Sequence, residues 1–296
     1  MKAHFKPLAA KRGILSYKRM DAPNSKQCHE KIDRSKPKVY HKDGMNTRSF
    51  LQTYCDRDTV FGEDNVKFII KKIHDALAAG HFKGKTAYDF SVGSIIYQLY
   101  TVSDCYPEIT ILKLNDTCIM ELNKWLAMRT GAFDWSHTHD YVKGLHCTSH
   151  QEDLNKEENL KTCIKRILKF DLQKANITDP EVLEQADCII IMWLLEVVCQ
   201  DQNDYINNFQ SMAKFLKPGG LLIFIGCLNT SYYKVGEDRY HIFTYDECFL
   251  RKNLANEGFK IKTCEVLDSK IQSDLTDYKQ IIVVTAIKEC RMSKLP

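Results

Sequence analysis

The run Ala186-Asp-Cys-Ile-Ile-Ile-Met-Trp-Leu-Leu195 constrains the fold more than any other stretch. Its apolar side chains do not alternate with polar ones, so a strand here must be covered on both faces. Such a strand belongs in the middle of a mostly parallel sheet with helices above and below it. The short strand that opens at Thr86, Glu108–Leu114 and Leu221–Leu228 read as its partners. Helical patterns separate them. Val66, Ile69, Ile70, Ile73 and Leu77 fall on one helix face, with Asp64 or Asn65 as a cap. Asp116–Leu126 and Asn203–Leu216 follow the second strand and the apolar run, and Lys217-Pro-Gly-Gly220 marks a stop. The spacing predicts a third strand at Asp140–His146, a charged helix over Gln151–Leu168 and a strand end at Lys169–Leu172. A helix at Tyr245–Glu257 and strands at Ile261–Leu267 and Gln280–Ile287 close the chain. The expected fold is α/β, Rossmann-like, with a mostly parallel seven-stranded sheet, an antiparallel C-terminal strand and helices on both faces.

Within that frame Thr86–Tyr100 reads as strand, tight turn at Ser91–Ser94, then a helix starting near Ile95. Small residues and a helix start are how such sheets hold nucleotide-like ligands. Gly93 is the turn's one glycine, so a dehydrogenase fingerprint of three glycines is absent.

Charge divides the chain. Residues 1–42 hold twelve Lys/Arg and three Asp/Glu, a net of +9, against +4 for all 296 residues, so 43–296 carry −5. We read 1–42 as a basic, disordered extension, 43–290 as the domain and 291–296 as a tail. The extension's mixed, apolar-poor sequence points to a solvated segment rather than a nucleic-acid arm. No run of 18 or more apolar residues offers a membrane span. Twelve cysteines occur without a CxxC pair, several inside apolar runs, as free thiols do in reducing compartments. A cytoplasmic protein is expected.

Asp89-Phe-Ser-Val-Gly-Ser-Ile-Ile-Tyr-Gln-Leu99, Met120-Glu-Leu-Asn-Lys-Trp-Leu126 with Gly131-Ala-Phe-Asp-Trp135, and Lys217-Pro-Gly-Gly220 with Ser231-Tyr-Tyr-Lys-Val-Gly236 carry a family resemblance. The chain resembles the nicotinamide, phenylethanolamine and indolethylamine N-methyltransferases from about Met45 to Lys288. The resemblance implies methyl transfer from S-adenosylmethionine to a small amine or heteroaromatic nitrogen. It implies no metal and no catalytic acid or base, since the sulfonium is already activated and positioning suffices. It places the cofactor at Phe50, Tyr54, Ser91, Val92, Gly93, Tyr97, Asp171, Leu172 and Met192, and the substrate at Glu196, Thr230 and Tyr233, with Tyr232 beside it. The expected partner is a small molecule, and the protein is expected to be a monomer.

The chain also departs from the family pattern. The family's Gly-Ser-Gly-Pro turn is Ser91-Val-Gly-Ser94 here. The place of the acidic residue that holds both ribose hydroxyls is Lys113, which has donors and no acceptor. Phe50 and Cys55 stand for tyrosines, Cys118 for an asparagine, and Gly226 for the substrate-side carboxylate of the nicotinamide enzymes. Losing a bidentate ribose contact costs on the order of 2–4 kcal/mol, about 30- to 1000-fold in affinity. Two readings follow: an N-methyltransferase with an altered cofactor site, or an inactive relative with weak or lost cofactor binding.

Overall fold

A computed structural model describes residues 37–80, 82–146 and 155–290. Helical pieces come first: α1 (Tyr40–Asp43), α2 (Thr47–Tyr54), a π-helical turn (Gly62–Phe68) and α3 (Ile69–Gly80). The Asn46 side chain caps α2 by accepting from the Ser49 N–H at 3.0 Å. Ile69, Ile70, Ile73 and Leu77 are buried on α3, as their spacing predicts. Residues 37–42, at the end of the stretch read as an extension, pack on the domain. Lys38 bridges to Tyr240, and Tyr40 is buried.

Next come β1 (Thr86–Ser91), α4 (Leu99–Val102), β2 (Glu108–Lys113), α5 (Asp116–Leu126), α6 (Ser136–His146), α7 (Lys156–Cys163) and β3 (Ile164–Lys169). The second half holds β4 (Ala186–Met192), α8 (Leu195–Val198), α9 (Gln202–Ala213) and β5 (Leu216–Leu228). A hairpin follows, β6 (Tyr232–Val235) and β7 (Asp238–His241), then α10 (Glu247–Asn256), β8 (Phe259–Asp268) and β9 (Gln280–Lys288).

The main sheet runs β3-β2-β1-β4-β5-β9-β8. The first five strands are parallel, and β9 is antiparallel to both β5 and β8. This is the Rossmann-like class I methyltransferase fold. The apolar run becomes β4, central and buried on both faces. Strand order reverses between β1 and β4, and the cleft outside their C-terminal ends is where such sheets take ligands.

Three local expectations give way. Asp140–His146 is the end of α6, not a strand. Thr138 and Val142, both buried, lie four apart on one helix face. The third strand is instead Ile164–Lys169, of which 164–168 fall in the segment read as helix and Lys169 in the stretch read as a strand end; residues 151–154 of that segment lie outside the described residues. Ile164, Ile167 and Leu168 repeat at i, i+3 and i+4, a spacing that mimics a helix. Lys165, Arg166 and Lys169 suit this strand's place at the sheet edge. Third, no helix starts at Ile95; residues 95–98 are not helical, and only Leu99–Val102 are.

Among the described residues no helix is long and apolar enough to cross a membrane. All ten described cysteines are free thiols.

Candidate functional site

Two cavities open at the C-terminal ends of the parallel strands. The larger, about 600 Å³, is polar and lies beyond β2 and β3, lined by Asn115, Asp116, Asp171, Leu172, Gln200 and Asp204 among others. The smaller, about 60 Å³, is walled by Phe50, Tyr54, Val92, Trp193, Tyr233 and Tyr278. Of the residues predicted for the cofactor, Asp171 and Leu172 reach the first cavity, whereas Phe50, Tyr54 and Val92 line the second.

Tyr97, Met192 and Thr230 line neither cavity and are fully buried. The Tyr97 hydroxyl donates to the Asn65 carbonyl, and that of Thr230 donates to the Leu228 carbonyl at 3.1 Å. Tyr232 is half-buried on the hairpin, with the Arg239 guanidinium 4.1 Å from its ring centre.

The turn after β1 is held by several buried hydrogen bonds. Lys113, the last residue of β2, is buried, and its ammonium points at this turn. It donates to the Ser91 hydroxyl at 2.6 Å, the Ser91 carbonyl at 2.9 Å and the Asp89 carboxylate at 3.3 Å. Asp89 also accepts from Ser91 Oγ at 2.6 Å and from Gln98 Nε2 at 2.9 Å. A buried charge pair holds only when its remaining groups are satisfied, and here they are.

The rest of the turn is also engaged. The Gly93 N–H donates to the Tyr40 hydroxyl at 3.0 Å. That hydroxyl lies 3.6 Å from Cys118 Sγ, and burial pushes its proton affinity well above the ordinary range. Ser94 Oγ bonds Thr47 Oγ1 at 2.9 Å and the Cys118 carbonyl at 3.0 Å. Gly93 has φ +59, and a Cβ there would meet Phe50 at 3.2 Å and Met45 at 3.3 Å. Side chains from α2 and the loop before it therefore press on the turn.

S-adenosylmethionine, implied by the resemblance, would need acceptors for two ribose hydroxyls and a free turn backbone. The turn offers an ammonium, a valine and an N–H already in use. These residues do not fit the ribose and methionine part of that group. The polar cavity lined by Asp171 and Leu172 has the room and the acceptors for a base.

The smaller cavity has a different character. Glu196, on α8 just beyond β4, is buried; its Oε1 accepts from the Cys227 N–H at 3.2 Å, and Oε2 has no partner. Burial pushes its carboxyl up to about 7. Trp193 Nε1 and Asn65 Oδ1 are likewise buried without partners. Trp193 has φ +50, a strained backbone for so large a residue. Tyr233 stacks on Tyr240 with ring centres 5.1 Å apart, and Tyr54 donates to the Lys234 carbonyl at 2.8 Å. A Cβ at Gly226 would run into the Tyr245 hydroxyl, so a side chain there requires that tyrosine to move. The acidic group of this pocket is Glu196.

Sequence reasoning missed Tyr40, Trp193, Asn65 and Tyr278. Tyr40 is a single aromatic in a Lys-rich stretch, with no period to mark it. Trp193 reads as one more residue of the apolar run.

The sequence matches the NNMT/PNMT/TEMT family over residues 35–289. It is 27% identical to nicotinamide N-methyltransferase of Homo sapiens over 83% of this chain and 94% of that protein. It is 30% identical to indolethylamine N-methyltransferase of Oryctolagus cuniculus over 73% and 82%. Against phenylethanolamine N-methyltransferase of Homo sapiens it is 27% identical over 74% and 79%. Among solved structures, magnesium protoporphyrin IX methyltransferase from Synechocystis PCC 6803 superposes with a TM-score of 0.50 at 11% identity. That match covers 82% of this chain and 93% of the other, and it is a likeness of fold alone. The chain belongs to the NNMT/PNMT/TEMT family of S-adenosylmethionine-dependent methyltransferases.

Proposed function

We propose that this chain is a small-amine-binding member of its family that keeps the acceptor pocket and has given up methyl transfer. The unpartnered Glu196 carboxyl oxygen, inside a cavity walled by aromatic rings, carries this reading. A buried carboxyl without a cation is costly to ionise, and an ammonium or protonated ring nitrogen supplies the missing partner. The surrounding rings favour the same cation. The cavity has room for a group of a few heavy atoms, so the amine head rather than a whole large ligand sits there.

A series of primary amines and pyridines, titrated calorimetrically into wild type and Glu196→Gln, tests this. Saturable binding that weakens at least tenfold in the variant supports it. Absence of heat for every ligand up to about 10 mM would contradict it, because that places any affinity below about 3 kcal/mol.

A second reading, an active N-methyltransferase with an altered cofactor site, is favoured by the open polar cavity with Asp171 and Leu172. Methyl transfer from radiolabelled S-adenosylmethionine to any amine of the same panel would establish it instead.

A further inference from the structure

We infer that Lys113 is a built-in occupant of the cofactor cleft, and that the cleft is closed by the sheet itself rather than by a gate. This holds whatever the acceptor pocket binds.

Two groups from this chain sit on the turn after β1, and they differ in how they are attached. Tyr40 belongs to a short strap, residues 37–44, laid along the hairpin. The Lys38 ammonium pairs with Asp238 at 2.7 Å, and the Tyr240 hydroxyl donates to the Gly44 carbonyl at 2.8 Å. The strap is no strand of the main sheet and can lift without breaking it, so Tyr40 alone would make a reversible cover.

Lys113 cannot lift in this way. It ends β2, whose register against β1 runs Thr86↔Glu108 to Asp89↔Ile111, and it pairs with Lys169 of β3 on the other side. Its three ammonium hydrogens meet three acceptors, Ser91 Oγ, Ser91 O and Asp89 Oδ2. Withdrawing the side chain would leave Asp89 as a buried carboxylate without its cation, and both side chains of the pair are fully buried. Lys113 thus takes up, from inside, the acceptors of the turn, and it puts donors where a ribose would need an acceptor. Val92, 1% exposed, removes further room at the same point. Raising the strap therefore leaves the cleft filled.

The full-length chain is dialysed to equilibrium against labelled S-adenosylhomocysteine as wild type, as Tyr40→Phe and as the double variant Val92→Ser/Lys113→Asp. Wild type and Tyr40→Phe should retain no label above background at about 1 mM ligand, and the double variant should gain at least tenfold in affinity. Micromolar binding by wild type, or a gain in Tyr40→Phe equal to that of the double variant, would overturn the inference. So would a folded double variant with no gain. Should the double variant not fold, NMR of the wild-type lysine ammonium groups decides. The Lys113 signal should exchange slowly and stay unmoved when S-adenosylhomocysteine is added; its shift or loss would overturn the inference.

Discussion

The Lys113 ammonium lies 2.6 Å from the Ser91 hydroxyl and 3.3 Å from the Asp89 carboxylate. A residue at the end of one parallel strand thereby reaches into the turn that ends its neighbour. That turn is where the family's cofactor resemblance predicts free backbone. The same cleft keeps, a strand away, a carboxyl oxygen that lacks a partner, on Glu196. One end of the cleft is thus satisfied from within, and the other is not.

Glu196 makes stability depend on pH. Burial raises its carboxyl to about 7, above its unfolded value, so the folded state holds the proton more tightly. Its contribution is full below the unfolded pKa of about 4.5 and is lost as pH rises through 7, by about 3 kcal/mol. Glu196→Gln should flatten this part of the profile and be more stable than wild type above pH 7. Urea unfolding of both proteins at pH 5 and pH 8 checks it; equal pH slopes would contradict it.

Asp187 works in the opposite direction. Although burial opposes its charge, the Lys217 ammonium at 2.6 Å and the N–H groups of Thr86 and Lys85 at 3.0 and 2.8 Å prevail. They hold its pKa down to about 2, so its stabilisation is present above the unfolded value and is lost as pH falls towards 2. The side chain is 24% exposed, and Asp187→Asn should cost about 1–2 kcal/mol at pH 7, with β1 fraying at its start. Hydrogen exchange at Thr86 and Ala87 reads this directly.

Met128 is 80% exposed yet has φ +50. Its side chain contributes little there, while the left-handed backbone costs about 1 kcal/mol for any residue with a Cβ. Met128→Gly should raise the melting temperature by about 2 °C. A lowered melting temperature in differential scanning calorimetry would show that the methionine contributes packing.

Phe90 is fully buried in β1, with its ring edge-on to Phe170 at 5.5 Å between centres. Phe90→Ala should cost about 3–5 kcal/mol, measured by chemical denaturation.

The sheet was legible because its central strands are continuous apolar runs; Lys217-Pro-Gly-Gly220 marked the end of the helix before β5, although α9 already stops at Ala213 and β5 begins at Leu216. Legibility failed at the edge. Ile164, Ile167 and Leu168 share a helix spacing with a half-exposed strand, and only pairing with β2 distinguishes the two. In the site, Glu196 stood out as an acidic residue at a strand end. Lys113 stood out as a missing acceptor, but the sequence could not say that its ammonium turns inward, because that depends on Asp89 and Ser91 facing it across the sheet. Tyr40 stayed hidden for a related reason. Its role arises from one long-range hydrogen bond to Gly93, which leaves no periodic trace.

Calorimetric titration of the purified wild-type chain with S-adenosylmethionine, and separately with S-adenosylhomocysteine, addresses the filled cleft most directly. No saturable heat is expected for either ligand up to about 1 mM. A one-to-one isotherm with a micromolar Kd would show that Lys113 yields to the cofactor, and would contradict a cleft filled from within.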